Sequence, residues 1–325
     1  MLTDIKDSDN LKYQGRISSI YLICLKNFFF EIITLFIYRP WAKTNLRKYI
    51  FGSTSIFGER LEYSGTGSEL FVGLIKAFLI IAVLPAILSV GLALLNPDNF
   101  TKSEVYLKIL VFFMMMFLIF YAKYAALRYK LSRIRWKGIK SGLGGSAAKY
   151  VGIRIVRGFL NIITLNFLRG KSDLIARKYM INNIYIGNQK AEFRGHIDAL
   201  NSINFKTLLL SLVTSGISRF WYHVALRNYT WNSIKIGNVS FLGTFTVWPT
   251  FKLLVGNLII LIFTLGFGAP ICIQRSVKFL TSNVKIIGNM EDIELLQNTQ
   301  KSDALGDGVD TMGGEMGLDL DFGIW

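Results

Sequence analysis

The sequence predicts a membrane protein, mainly α-helical and multi-pass, built from repeated helix–short helix–β-hairpin units and α+β overall. Three observations lead there. The 325 residues are 52% hydrophobic with a mean hydropathy of +0.40, too apolar for an ordinary soluble domain. A motif of about fifty residues recurs four times, and a fixed period of this length marks one multiplied supersecondary unit. Several apolar stretches approach or exceed the ~20 residues that cross a ~30 Å hydrocarbon layer.

Each unit opens on aromatic-x-Gly: Tyr13-Gln14-Gly15, Phe193-Arg194-Gly195 and Phe241-Leu242-Gly243. An apolar stretch follows and ends at Thr34, Thr164, Thr214 or Thr264. Fifteen residues further stand Tyr49, Tyr179, Tyr229 and Phe279. Gly-centred turns close the units at Gly58, Gly187-Asn188, Gly237-Asn238 and Gly288-Asn289. Gly and Asn tolerate the positive φ of tight hairpin turns, so each closing segment reads as a β-hairpin. The short second helix starts near Pro40-Trp41, because a helix's first turn accommodates proline.

The units run 13–65, 146–195, 193–243 and 241–296. An insertion at 66–145 reads as a transmembrane hairpin plus a basic loop, and 297–325 reads as an acidic flexible tail. The strongest predicted spans are 70–95, 105–127 and 251–272. Weaker ones are 19–38, 150–168 and 205–217, which carry charges or fall short. No cleavable leader opens the chain. Cys24 and Cys272 lie in apolar stretches and read as packed thiols.

Net charge is +16. Residues 291–325 hold nine acids and one base, a net −8, which leaves +24 on residues 1–290. Bases beside apolar spans follow the cytoplasmic-side Lys/Arg bias, so membrane lipids, anionic ones included, are the expected partners and nucleic acid is not. No His-x-x-x-His, Cys-x-x-Cys, Gly-x-Ser-x-Gly or phosphate loop occurs. The sequence therefore predicts no enzyme, cofactor or metal site. The best functional hint is a pair of basic rows at i, i+4, i+8: Arg39, Lys43, Arg47 and Arg219, His223, Arg227. They are candidates for an anionic lipid or ligand, since guanidinium forks suit phosphate. Trp41, Tyr49, Trp221 and Tyr229 are expected as interfacial aromatics. Glu31 is an acid within an apolar stretch and reads first as a partner for a base such as Lys26.

Several stretches resemble the YjgN-like family of bacterial inner-membrane proteins: Thr34-Leu35 through Arg39-Pro40-Trp41-Ala42, Tyr49, Tyr63-Ser64-Gly65, Arg135-Trp136-Lys137-Gly138-Ile139, and the closing Asp319-Leu320-Asp321-Phe322-Gly323-Ile324. The resemblance covers nearly the whole chain. Gly170-Lys171 and Ala269-Pro270-Ile271 depart from its Arg-Pro-Trp pattern. It implies a multi-pass inner-membrane location, a role that is uncharacterised, and no catalytic residues. The functional expectation is a non-enzymatic inner-membrane protein that binds anionic lipid or a partner at the cytoplasmic face. The alternative is a transporter or channel for an anionic solute.

Overall fold

The computed structural model describes residues 11–79, 83, 86–87, 90–91, 94 and 100–288. The predicted acidic tail and the closing Asp319–Ile324 motif lie outside the described residues, as does part of the predicted span 70–95.

Ten short strands form one antiparallel sheet in strict chain order: β1 (Leu11–Tyr13), β2 (Thr54–Ile56), β3 (Glu59–Tyr63), β4 (Ile134–Trp136), β5 (Ile139–Leu143), β6 (Ile184–Ile186), β7 (Gln189–Phe193), β8 (Ile234–Ile236), β9 (Val239–Gly243) and β10 (Val284–Ile287). Tight turns join β2–β3, β4–β5, β6–β7 and β8–β9. Helical pairs make the other connections: α1 (Ile17–Ile33) and α2 (Arg39–Gly52); α3 (Gly67–Phe78) and α4 (Phe100–Ser132); α5 (Ala147–Ile163) and α6 (Arg169–Ile181); α7 (Asn201–Val213) and α8 (Arg219–Asn232); α9 (Val247–Phe263) and α10 (Ala269–Asn283). Because every neighbouring pair of strands is antiparallel, all the helical connections leave from one end of the sheet and all the tight turns sit at the other.

The sheet curls on itself. Leu61 of β3, Trp136 of β4, Val239 of β9 and Ile286 of β10 meet in one buried cluster with Leu11 of β1, although these strands are far apart in sheet order. The two outer strands, β1 and β10, lie side by side, so the barrel is nearly closed. Trp136 crosses a neighbouring hairpin, donating its indole N–H to the Ile56 carbonyl at 3.1 Å. Side chains fill the interior, as expected for a small barrel.

This architecture corrects the multi-pass helical prediction. Among the described residues, one helix is long and apolar enough to cross a membrane, Val105–Ser132. The predicted stretches 19–38, 150–168, 205–217 and 251–272 are each interrupted by a five-residue turn, after which the chain reverses. The preceding helices have 17, 17, 13 and 17 residues, about 20–25 Å at 1.5 Å per residue, short of the ~30 Å hydrocarbon layer. The strands, expected as separate hairpins, instead join edge to edge into a single sheet.

The turn has the same construction each time. Thr34, Thr164, Thr214 and Thr264 are the C-caps of their helices. The next residue is left-handed: Leu35 (φ 48°), Leu165 (47°), Ser215 (48°) and Leu265 (49°). The one after it is too, at Phe36, Asn166, Gly216 and Gly266. Phe36 N–H then reaches back to the Glu31 carbonyl at 2.7 Å, and Gly216 and Gly266 make the equivalent bonds to Ser211 and Leu261 at 3.0 and 2.8 Å. Each threonine hydroxyl donates to the carbonyl four residues earlier. In three turns it also accepts the N–H four residues later, from Tyr38, Ser218 or Gly268. The first and last reversals thus satisfy all of their own N–H groups and the other two most of theirs, which matters most where water is scarce.

The stretch expected as an insertion, 66–145, ends in a hairpin of the same dimensions as the others. Strands of 3 and 5 residues flank left-handed Lys137 and Gly138 (φ 50° and 76°), matching Phe57 and Gly58 (51° and 82°). The Arg135–Ile139 motif is therefore barrel wall.

The aromatic-x-Gly openings have a steric cause. A Cβ on Gly15 would meet the Tyr13 hydroxyl at 2.1 Å and its ring at 2.3 Å, and one on Gly65 the Tyr63 ring at 2.7 Å. Burial, with Tyr49 beside it, pushes the Tyr13 hydroxyl up to about 12, so it stays neutral. In the last unit the sheet sets the register two residues later than the predicted opening Phe241-Leu242-Gly243. Gly243 ends β9 where β1, β3 and β7 have an aromatic and β5 has Leu143, and Phe245 stands where all four are followed by glycine, packed on Phe279 at 5.9 Å. Ring and gap have exchanged places.

Candidate functional site: the basic faces of the second helices

The second helix of each pair packs against its own first helix and against the first helix of the next pair: α6 touches α5 and α7, and α8 touches α7 and α9. Burial accordingly alternates along it, at Gly170, Ser172, Leu174 and Ala176 in α6 and at Tyr222, Val224 and Leu226 in α8. The i, i+4, i+8 positions form a third, half-open strip, and the basic rows occupy it. Second helices also meet each other, since α6 contacts α8.

There the rows form a charged cluster. Asp173 of α6 accepts a hydrogen bond from the Tyr222 hydroxyl at 2.8 Å. It also lies 3.7 Å from Arg169 and 3.8 Å from Arg154 of α5. Arg219 stacks 4.8 Å over the Tyr222 ring and donates to Asn204 Oδ1 at 3.0 Å. His223 stands edge-on to Tyr222 at 5.6 Å. Asp173, which interrupts the basic pattern in sequence, is the counter-charge that lets cations from three helices converge. Pattern reading missed this role because the partners are remote in sequence.

Arg39 and Lys43 line a different space. They share a pocket of about 620 Å³ with Glu31 and Asn27 of α1 and with residues of the α9–α10 turn. Glu31 therefore faces Arg39 as well as sitting near Lys26 in sequence. Arg47 lies apart, donating to the Tyr63 hydroxyl at 3.3 Å. Arg227 stacks 4.5 Å over Phe245. The six basic candidates thus fall into separate places rather than one site.

The aromatics divide likewise. Trp221 is 51% exposed. Trp41 is half-buried between α2 and α3, against Tyr38 and Phe71. Tyr49 and Tyr229 act as backbone clamps. The Tyr49 hydroxyl accepts Arg16 N–H at 2.7 Å and donates to the Arg16 carbonyl at 3.0 Å. Tyr229 does the same at His196, and Tyr179 at Ser146. Each clamp ties the second helix to the residue where the chain leaves the barrel for the first helix. Phe279 has no hydroxyl to do so, and Tyr129 instead donates to Glu69 at 3.0 Å. Cys24 and Cys272 are free thiols, half-buried and buried. Among the described residues no group of three His, Cys, Asp or Glu is placed to hold a metal.

The first helices and the turns between helices carry a broad apolar surface. Leu35 is 82% exposed, Leu165 72%, Val213 85% and Leu265 88%. Contiguous apolar exposure of this kind marks a lipid or protein contact surface.

Comparison with known proteins accords with such a surface. The family described as "Bacterial protein of unknown function (DUF898)" matches residues 8–217 and 199–312. The chain belongs to this family. Among curated proteins, the inner membrane protein YjgN of Salmonella typhimurium (strain LT2) is 36% identical over 80 residues, 24% of this chain and 20% of its own length. YjgN of Escherichia coli K12 is 35% identical over 65 residues, 20% of this chain and 16% of its own length. The protein of E. coli O157:H7 is 33% identical over 78 residues, 24% and 20% of the respective chains. The aligned part therefore spans about a fifth of these relatives. Together the matches place the chain among the YjgN-like inner-membrane proteins of bacteria. No solved structure matches it.

Proposed function

We propose that this protein is a non-enzymatic inner-membrane component whose helical pairs dip into the bilayer from one side, with the barrel held at the cytoplasmic face, and whose basic second helices hold anionic lipid. One observation carries the reading: three of the helix-to-helix turns are largely apolar, the surface around all four is highly exposed and apolar, and most of the turn N–H groups are bonded within the turns themselves. An exposed loop of leucines and phenylalanines is unfavourable in water. A reversal that bonds most of its N–H groups internally is tolerable in lipid. Arg47 and Arg227, toward the barrel ends of α2 and α8, would then be the row cations nearest the headgroups, each contributing about 1 kcal/mol toward an anionic surface.

The packed barrel interior argues against an ion path along the axis, since Leu61, Trp136, Val239 and Ile286 close it. Replacing Arg47 and Arg227 together by alanine is expected to lower the anionic phospholipid that copurifies with the protein, measured by mass spectrometry against zwitterionic lipid. Unchanged anionic lipid content would contradict lipid retention by these faces.

A further inference from the structure

The outer wall of the barrel carries charge of almost one sign. Side chains alternate between the two faces of a strand, and Leu61, Trp136, Ala191, Ile236 and Ile286 are buried on the inner face. The alternation puts Arg60 of β3, Arg135 of β4, Lys140 of β5, Lys190 of β7, Lys235 of β8 and Lys285 of β10 on the outer one. Arg60, Lys140, Lys190 and Lys285 are exposed, and Arg135 and Lys235 are half-buried. Among the described residues the acids of this face are Glu62 and Glu192, and Arg194 holds Glu192 at 2.9 Å. None of the six bases makes an ion pair among the described residues.

This arrangement weakens the sheet. Arg135 stands directly opposite Lys140 across the β4–β5 pair, and like charges facing each other across strands are destabilising. A face that only kept the chain soluble would intersperse both signs. A face of one sign suits an anionic partner, and the chain supplies one itself. Ile287 pairs with Ser240 beside the β8–β9 turn, and a Cβ on Gly288 would meet the Asn238 carbonyl at 2.8 Å. The chain therefore leaves β10 at the turn end of the barrel, close to Lys285, Lys235 and Lys190. Glu291, Asp292 and Glu294 follow within six residues, and the stretch 291–325 has a net charge of −8. Attachment at this exit raises the local concentration of those acids to about the millimolar range. Surface ion pairs that are weak singly then act together.

We propose that the acidic segment 291–325 docks on the outer barrel wall of its own chain and occupies the face that would otherwise take up another polyanion. The proposal stands on the barrel and its charges, and it does not depend on how the helical pairs meet the bilayer.

The test uses the full chain in a neutral detergent. A water-soluble carbodiimide joins carboxylates to lysine amines in ion-pair contact, and mass spectrometry of the digest locates the links. Acids of 291–325 should link to Lys140, Lys190, Lys235 and Lys285. Exposed Lys48, Lys178 and Lys278 of the second helices are the internal reference. Links to the wall should exceed links to the reference by about fivefold or more, and molar salt should cancel the excess, because the Debye length falls to about 3 Å. Arg60→Gln with Lys140→Gln and Lys190→Gln should lower the links to Lys235 and Lys285 several-fold. When isotopically labelled and unlabelled chains are mixed, the links should stay within one isotopic species. Equal yields at wall and reference lysines, or links to Lys235 and Lys285 unchanged in the triple variant, overturn the proposal. Links that join labelled to unlabelled chains overturn it in favour of a second copy. Links that disappear in phosphatidylglycerol nanodiscs but persist in phosphatidylcholine ones overturn it in favour of an anionic membrane surface. Should the triple variant not fold, the wild-type comparison of wall with reference lysines decides.

Discussion

Replacing Trp136 with alanine is expected to destabilise the protein by about 3–5 kcal/mol, the range for removing a large buried aromatic. That is a large share of the ~5–15 kcal/mol that typically holds a domain together. Trp136 is 7% exposed and belongs to the cluster where β3, β4, β9 and β10 meet. The loss leaves a void that no single strand can fill, and it removes the indole bond to the Ile56 carbonyl. Trp221→Ala is the natural comparison, because that side chain is 51% exposed and its truncation should change stability little. Thermal unfolding in the same detergent would show a large drop for Trp136→Ala and a small one for Trp221→Ala. Equal effects would mean that the barrel interior is not the structural centre.

The second large effect concerns the exposed turns. Val213→Asp with Leu212→Asp places two carboxylates beside the α7–α8 reversal, where the native side chains are 85% and 84% exposed. An aspartate within the hydrocarbon costs about 2.5–3.5 kcal/mol on insertion scales. Two of them should draw this helical pair out of the bilayer while Val105–Ser132 still anchors the chain. Trp221, close to that turn, reports the change: its quenching by brominated lipid should fall sharply in the variant. The same charge at Asn188, in a barrel turn, should leave quenching unaltered. Undiminished quenching in the double aspartate variant would show that this turn does not enter lipid.

Much of the local structure was legible in the sequence. Each threonine chosen as the end of an apolar stretch is a helix C-cap. Pro40 lies in the first turn of α2, and Gly187-Asn188 and Gly237-Asn238 are the turns of β-hairpins. The helical reversals were hidden for a physical reason. In the first two units the left-handed positions are Leu35-Phe36 and Leu165-Asn166, so hydropathy reads through a turn that normally favours glycine. Gly216 and Gly266 mark the same place in the later units, but a helix also tolerates isolated glycines.

The closing of hairpins into one barrel depends on pairings between units, such as Leu61 with Trp136 and Phe193 with Ile234. Strands of 3–5 residues carry too little alternation to announce them. The second hairpin-forming segment, Arg135–Ile139, has the charges of an interfacial loop and a left-handed lysine in place of glycine or asparagine. At the candidate site, the row spacing correctly found residues on one helix face but not what faces them. Asp173 appeared only as a break in the pattern, and the pocket beside Arg39 joins α1 and α2 to Ala269 and Ile273 of α10, which are remote in sequence.

The central claim is that the helical reversals and the barrel turns lie at opposite ends of the molecule, the first in lipid and the second in water. Single cysteines at Leu35, Leu165, Ser215 and Leu265, and at Phe57, Lys137, Asn188 and Asn238, test it most directly in a background with Cys24 and Cys272 replaced. In inner-membrane vesicles, the four barrel-turn positions should all react with a membrane-impermeant maleimide from the cytoplasmic side. The four reversal positions should be protected from it on both sides and react only after the bilayer is dissolved. Reactivity of the reversal positions from the periplasmic side, or division of the barrel turns between the two sides, would contradict the account.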